Sequence, residues 1–189
     1  MNAFEKKLAR RFSDLDLTSF TPVVVIDVHR RGRRIGLLEQ GKTYPYYDLA
    51  SLTKILFTGS RAMMHFSEFP ADLEQPLTEV LPWWKRRATT PSGLMSHSAG
   101  LEWWLPIYKK LRGPLLPESR WPQMKKQLAK VKPARREKAV YSDIDLWMTG
   151  AYLEACLKKP LLEMWADVHE RLDLKDIHFH PANKPIHAR

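Results

Sequence analysis

The run Asp48-Leu49-Ala50-Ser51-Leu52-Thr53-Lys54 decides the reading of this chain. A helical apolar period begins inside it. Leu52, Ile55, Leu56, Gly59, Met63 and Met64 mark one face, and Asp48 or Ser51 offers the helix start. Ser51 and Lys54 stand three residues apart at that start and share a face, so the amine lies close enough to take the hydroxyl proton. The helix N-terminus adds a field that favours developing negative charge. A lone Ser-x-x-Lys pair is a common accident, and its weight comes from the segments around it.

Working upstream, Pro22 opens a strand whose centre, Val23-Val24-Val25-Ile26, is β-branched throughout. The strand runs to Val28, a turn follows at Arg30-Arg31-Gly32-Arg33-Arg34, and Ile35-Gly36-Leu37-Leu38 forms a second short run. This is a hairpin with a basic tip. Its first strand is apolar without alternation, which predicts cover on both faces and a place in a wider sheet. Before the hairpin, Phe4, Leu8 and Phe12 lay one stripe along a short helix over residues 3–12. Working downstream, Pro70, Pro76, Pro82 and Pro91 break residues 66–93 into short helical pieces, and Gly93 to Ser98 forms a brief helix ended by Gly100. Residues 101–120 read as irregular. Helices are predicted over Asp143 to Leu157 and Leu161 to Arg171, and no internal repeat is present.

Composition bounds the rest. The 189 residues, 44% hydrophobic and 28% charged, allow one ordinary domain with a real core. The net charge of +10 permits anionic partners without specifying one. Its basic residues are not interleaved with any readable nucleic-acid motif, so nucleic acid is not an expected partner. A single cysteine, Cys156, excludes an intrachain disulfide and, on the same count, a cysteine-based zinc site; it reads as a core thiol. The opening Met1-Asn2-Ala3-Phe4-Glu5-Lys6-Lys7 is charged, and no apolar run is long enough to span a bilayer. A soluble, cytoplasmic protein without membrane partners is the expectation.

The second chemical element is Tyr141-Ser142-Asp143, at the start of a predicted helix. A tyrosine beside a lysine ammonium can work as a phenolate or a proton shuttle, because the positive neighbour favours its ionised form. Taken alone, the segment also fits an aromatic residue ahead of an N-capping Ser or Asp. Between the two elements lies Leu94-Met95-Ser96-His97-Ser98-Ala99-Gly100-Leu101.

In this order the three segments resemble the serine β-lactamase and penicillin-binding-protein superfamily. The resemblance is to its class C-like branch of D-alanyl-D-alanine carboxypeptidases and esterases. There the nucleophile segment reads Asp-x-Ala-Ser-x-Thr-Lys, as Asp48 to Lys54 does. Leu94 to Leu101 is similar to Leu-Leu-x-His-Thr-Ser-Gly-Leu, with Ser98-Ala99 replacing Thr-Ser. Tyr141 matches Tyr-x-Asn, with Asp143 in the Asn place. Weaker echoes lie at Leu73 to Pro82 and at Arg171-Leu172-Asp173-Leu174-Lys175-Asp176, so the likeness covers residues 20–180.

The resemblance implies an α+β fold of the β-lactamase/transpeptidase type. Residues 1–47 would form the N-terminal helix and sheet strands, and 48–189 a mainly helical region carrying the motifs, together one partial domain. It implies acyl-enzyme formation on Ser51, with Lys54 accepting the hydroxyl proton and Tyr141 relaying protons to the leaving group, although the sequence does not divide the labour between the two. The backbone N–H of Ser51 would be one oxyanion donor. Asp143, a substrate-binding position in the branch, brings a charge within reach of Lys54 and should hold the ammonium form. The branch's third motif, Lys-Thr-Gly or His-x-Gly, is not found among residues 142–189. The remaining sheet strands would then come from a C-terminal fragment or a partner chain.

Other residues carry weaker expectations. Trp103 and Trp104 could wall a substrate or simply pack. His178, His180 and His187 read as surface histidines, so neither a metal nor a cofactor is expected. Seven Lys or Arg between Lys125 and Lys138 read as a solvated face that could rim the cleft. Two functions remain open: a serine hydrolase acting on an ester, a β-lactam-like compound or a muropeptide, and a binding or regulatory module that keeps the fold and has lost turnover.

Overall fold

The computed structural model describes residues 2–12, 17–44, 46–114, 116–132 and 138–177. Its contacts divide the described residues into two units, one up to Asp48 and one from Leu49 onward.

In the first unit the α1 helix, Ala3–Phe12, is opened by Asn2, whose side chain accepts the Glu5 N–H while the Glu5 carboxylate accepts the Asn2 N–H. This reciprocal cap satisfies two amides that a helix start leaves without partners. β1 (Val23–Arg30) and β2 (Arg33–Gly41) pair antiparallel, as the β-branched run and the basic turn predict. The two-residue turn at Arg31 and Gly32 has φ of 50° and 73°, the left-handed geometry whose twist suits a hairpin. Between Val28 and His29 the register slips by one residue. There the Asn2 amide donates to the Ile35 carbonyl, tying α1 to β2. Gly36 permits the close approach, because a Cβ on it would lie 2.6 Å from the Phe4 ring. Among the described residues the sheet has these two strands.

In the second unit the nucleophile segment leads into one turn of π-helix, Lys54–Gly59, which continues as α2, Ser60–Glu68. The apolar spacing from Leu52 to Met64 suits a regular helix as well. Gly59 helps the chain take the wider turn, since a Cβ there would sit 3.1 Å from the Lys54 carbonyl oxygen. A 3-10 turn at Pro70–Glu74 and α3, Leu77–Val80, are the short pieces expected between prolines. α4, Pro91–Met95, starts two residues before the predicted Gly93, with Pro91 at its first position and Thr90 capping the Gly93 N–H.

α5, Pro117–Leu128, lies where the sequence predicts irregular chain followed by a basic face. Pro122 inside it conceals the helical signal. α6, Asp143–Leu157, and α7, Leu161–Arg171, occupy their predicted spans. All of Ile144 to Leu153 except Trp147 is buried, which makes α6 the central helix of this unit. Trp84, Leu77, Leu94, Leu101 and Leu128 pack with it. Burying each such side chain contributes about 1.5–3 kcal/mol before the entropy of ordering is subtracted. The result is an α+β chain whose helical unit surrounds α6. No helix among the described residues is long and apolar enough to cross a membrane.

Candidate active site

Ser51, Lys54, Tyr141 and Asp143 come together within the second unit. Ala50, just before Ser51, has φ of 43°, a left-handed conformation that a Cβ disfavours. Ser51 therefore sits on a strained turn at the mouth of the helix and is exposed. One turn on, the Lys54 ammonium donates to Ser51 Oγ at 3.1 Å and pairs with Asp143 Oδ1 at 2.8 Å. It also stands 5.4 Å from the centre of the Tyr141 ring.

The far side of the site is held by a zipper between the segment after α4 and the start of α6. Val140 N–H donates to the His97 carbonyl and Asp143 N–H to the Trp103 carbonyl, both at 2.9 Å. Ser142 Oγ donates to the Glu102 carbonyl at 2.7 Å and accepts Asp145 N–H at 3.2 Å, the N-cap of α6. Below Tyr141 the His97 ring packs 4.9 Å from the phenol ring, and His97 Nδ1 lies 3.0 Å from the Asp145 carboxylate, which is 1% exposed.

Proton affinities in this group move in opposite directions. Partial burial works against the Lys54 ammonium, but its bond to Asp143, with smaller help from Tyr141, outweighs that and holds the amine above the ordinary lysine range. The Tyr141 phenol is pulled below its ordinary value, chiefly by the neighbouring Ser51 hydroxyl, against the effect of burial, and further by Lys54. Ser51 Oγ thus accepts from Lys54, and the Tyr141 phenol stands beside the pair, its ring centred 5.4 Å from the ammonium. Lys54, which the sequence casts as the proton acceptor, faces the serine as a donor.

Trp103 and Trp104 are exposed, with ring centres 6.1 Å apart, and Tyr108 stands 6.4 Å beyond Trp104. The Trp103 backbone is part of the zipper. Of the basic run, Lys125 is paired with Glu154 on α6, and residues 133–137 lie outside the described residues. So do His178, His180 and His187. His97 lies inside a segment that the sequence singles out, yet its bond to Asp145 spans 48 positions and has no local signature.

Residues 42–189 match the model of the family described as Beta-lactamase. No curated protein matches the chain.

Proposed function

The chain belongs to the Beta-lactamase family, and from that premise we propose that it is a serine acyl-transfer enzyme working through Ser51. One observation carries this reading: Ser51 Oγ accepts from the Lys54 ammonium at 3.1 Å, and the Tyr141 ring is centred 5.4 Å from that same ammonium. On attack at a carbonyl carbon the hydroxyl proton passes to Tyr141 in its phenolate form, which the Lys54 ammonium stabilises beforehand; Tyr141 becomes a neutral phenol, the carbon–oxygen bond forms, and the ammonium faces the serine oxygen throughout. Tyr141 then returns the proton to the departing group, and the acyl-enzyme awaits water. Asp143 keeps Lys54 charged. The same pairing leaves Lys54 a poor base, which favours activated esters over amides.

Small esters and wall-derived peptides, the substrates of the carboxypeptidase and esterase branch, are the classes proposed. Trp103 and Trp104 offer an apolar wall for the acyl or leaving group. A C-terminal fragment or a partner chain is proposed to add further strands to the β1–β2 hairpin. The competing reading, a binding module without turnover, is favoured by the Lys54–Asp143 pair. A fluorophosphonate or fluorescent penicillin followed by mass spectrometry of the Ser51 peptide separates the two. A covalent adduct on Ser51 supports the enzyme, and an unlabelled serine that still binds ligand supports the module.

A further inference from the structure

A second chemical cluster uses none of the residues around Ser51. His65 on α2, Asp72 on the following 3-10 turn and Cys156 in the last turn of α6 bring one donor atom each to within 4.8 Å of one another. We propose that these three side chains form a binding site for a zinc-type divalent cation.

The donor set is the first reason. A thiolate, an imidazole and a carboxylate are the ligands zinc prefers, at about 2.3, 2.0 and 2.1 Å. Around a tetrahedral ion, donors at those lengths lie about 3.3–3.7 Å apart. His65 Nε2 and Asp72 Oδ2 are now 2.8 Å apart, so that pair must open slightly, while the sulfur closes by no more than about 1.5 Å, within reach of side-chain rotation. The fourth position is left to water. Tyr152, whose hydroxyl donates to Gln75 Oε1 at 2.9 Å and contacts Cys156, stands beside it.

Burial and charge are the second reason. His65 is 4% exposed, with the rings of Phe66 and Phe69 centred 5.1 and 5.2 Å away and that of Tyr152 at 6.4 Å. In such a setting an uncompensated charge is costly. A divalent cation with the Cys156 thiolate and the Asp72 carboxylate sums to zero. The proton accounting closes as well. In the metal-free state His65 Nε2 lies 2.8 Å from Asp72 Oδ2, and its Nδ1 has no hydrogen-bond partner among the described residues. On binding, the ring proton is carried on Nδ1, Nε2 turns its lone pair to the metal, and one proton leaves from Cys156. This site runs against the expectation, drawn from the count of one cysteine, that a cysteine-based zinc site is excluded.

The test uses the full chain, freed of metal with a chelator and titrated with cobalt(II), then with zinc. Cys156 is the only cysteine, so a thiolate-to-cobalt charge-transfer band can come from nowhere else, and cobalt on histidines outside the cluster gives none. The expected results are a band that saturates at one equivalent and is abolished by zinc, and at least a tenfold loss of cobalt affinity in both Asp72→Asn and His65→Gln. In the unmodified chain, zinc should slow iodoacetamide alkylation of Cys156 at least tenfold, a readout independent of whether the variants fold. Absence of the band together with alkylation indifferent to zinc overturns the site. A band of unchanged affinity in folded Asp72→Asn and His65→Gln also overturns it, leaving a bare thiol adduct.

Discussion

Asp143→Asn separates the two roles that the carboxylate plays at Lys54. The wild-type pair is 2.8 Å long, with side chains only 19% and 26% exposed. Even with the full screening of water, two unit charges at that distance interact by about 1.5 kcal/mol, about tenfold in an equilibrium, and the shielding here makes that a lower bound. Removing the carboxylate lowers the proton affinity of Lys54 and also of Tyr141, whose ionisation Asp143 opposes. A larger fraction of the working base is then free at neutral pH. Because a weaker base is also intrinsically less reactive, the expected gain in the acylation rate constant is several-fold to about tenfold. The rising limb of the pH–rate profile should move to lower pH. Stability should change the opposite way. Lys54 has a raised affinity in the folded state, so its contribution is present below the unfolded-state value and is lost as pH rises through the folded one. The variant should therefore be less stable than wild type, by about 1–2 kcal/mol, at neutral pH and equal to it in strong alkali. Stopped-flow release of nitrophenol from an activated ester over a pH series, with urea melts at pH 7 and above pH 11, measures both. Acylation that is unchanged or slower, with the limb unmoved, would refute the coupling of Asp143 to the base.

Ser51→Ala should remove all covalent labelling and Lys54→Ala should slow acylation by about a hundredfold or more, read by intact-protein mass spectrometry; labelling elsewhere in the first variant sinks the nucleophile assignment. Gly36→Ala should destabilise the first unit by about 1–3 kcal/mol, because its methyl meets the Phe4 ring, and should leave labelling of Ser51 unchanged; a neutral melt contradicts that packing. Ala50→Gly relieves a left-handed Ala and should leave thermal stability unchanged or raise it by up to about 1 kcal/mol, whereas a clear loss would place Ala50 elsewhere in φ. Asp145→Asn weakens a charge-assisted bond to His97 and should cost about 1–3 kcal/mol in a denaturant melt, an unchanged midpoint counting against the support it gives.

What could be read directly was local. Ser142 ahead of an apolar run announces α6, Pro160 announces α7, and the β-branched run with a Gly-containing turn announces the hairpin. Ser51 and Lys54 are joined by helical spacing alone. Tyr141 and Asp143 reached the same site only through the order of motifs shared with a family, because a separation of 90 residues leaves no periodic trace. The π-turn at Lys54 was hidden because its apolar spacing fits a regular helix, and α5 because Pro122 and the lysines argue against one. The partners of buried polar groups were hidden most fully. His97 with Asp145, and His65 with Asp72 and Cys156, meet only after the core has closed around α6.

Of the five non-glycine residues with positive φ among the described residues, Arg31, Lys158 and Asp173 lie in the hairpin turn and past helix ends, whereas Ala50 directly precedes the nucleophile and His97 lies beneath the tyrosine; the one π-turn begins at Lys54 itself. Each left-handed residue of this kind costs about 1–3 kcal/mol and persists only where its surroundings fix it more than once. That condition is met here. The His97 carbonyl and ring are bound separately, by Val140 and by Asp145 with Ser142. Ala50 precedes a serine that the Lys54 ammonium holds. A regular helix start would leave Ser51 and Lys54 on one face but would not by itself bring the Tyr141 ring beside the same amine. Two of the left-handed residues thus stand where the proposed chemistry needs its geometry, a hydroxyl that faces a cation with a phenol close by.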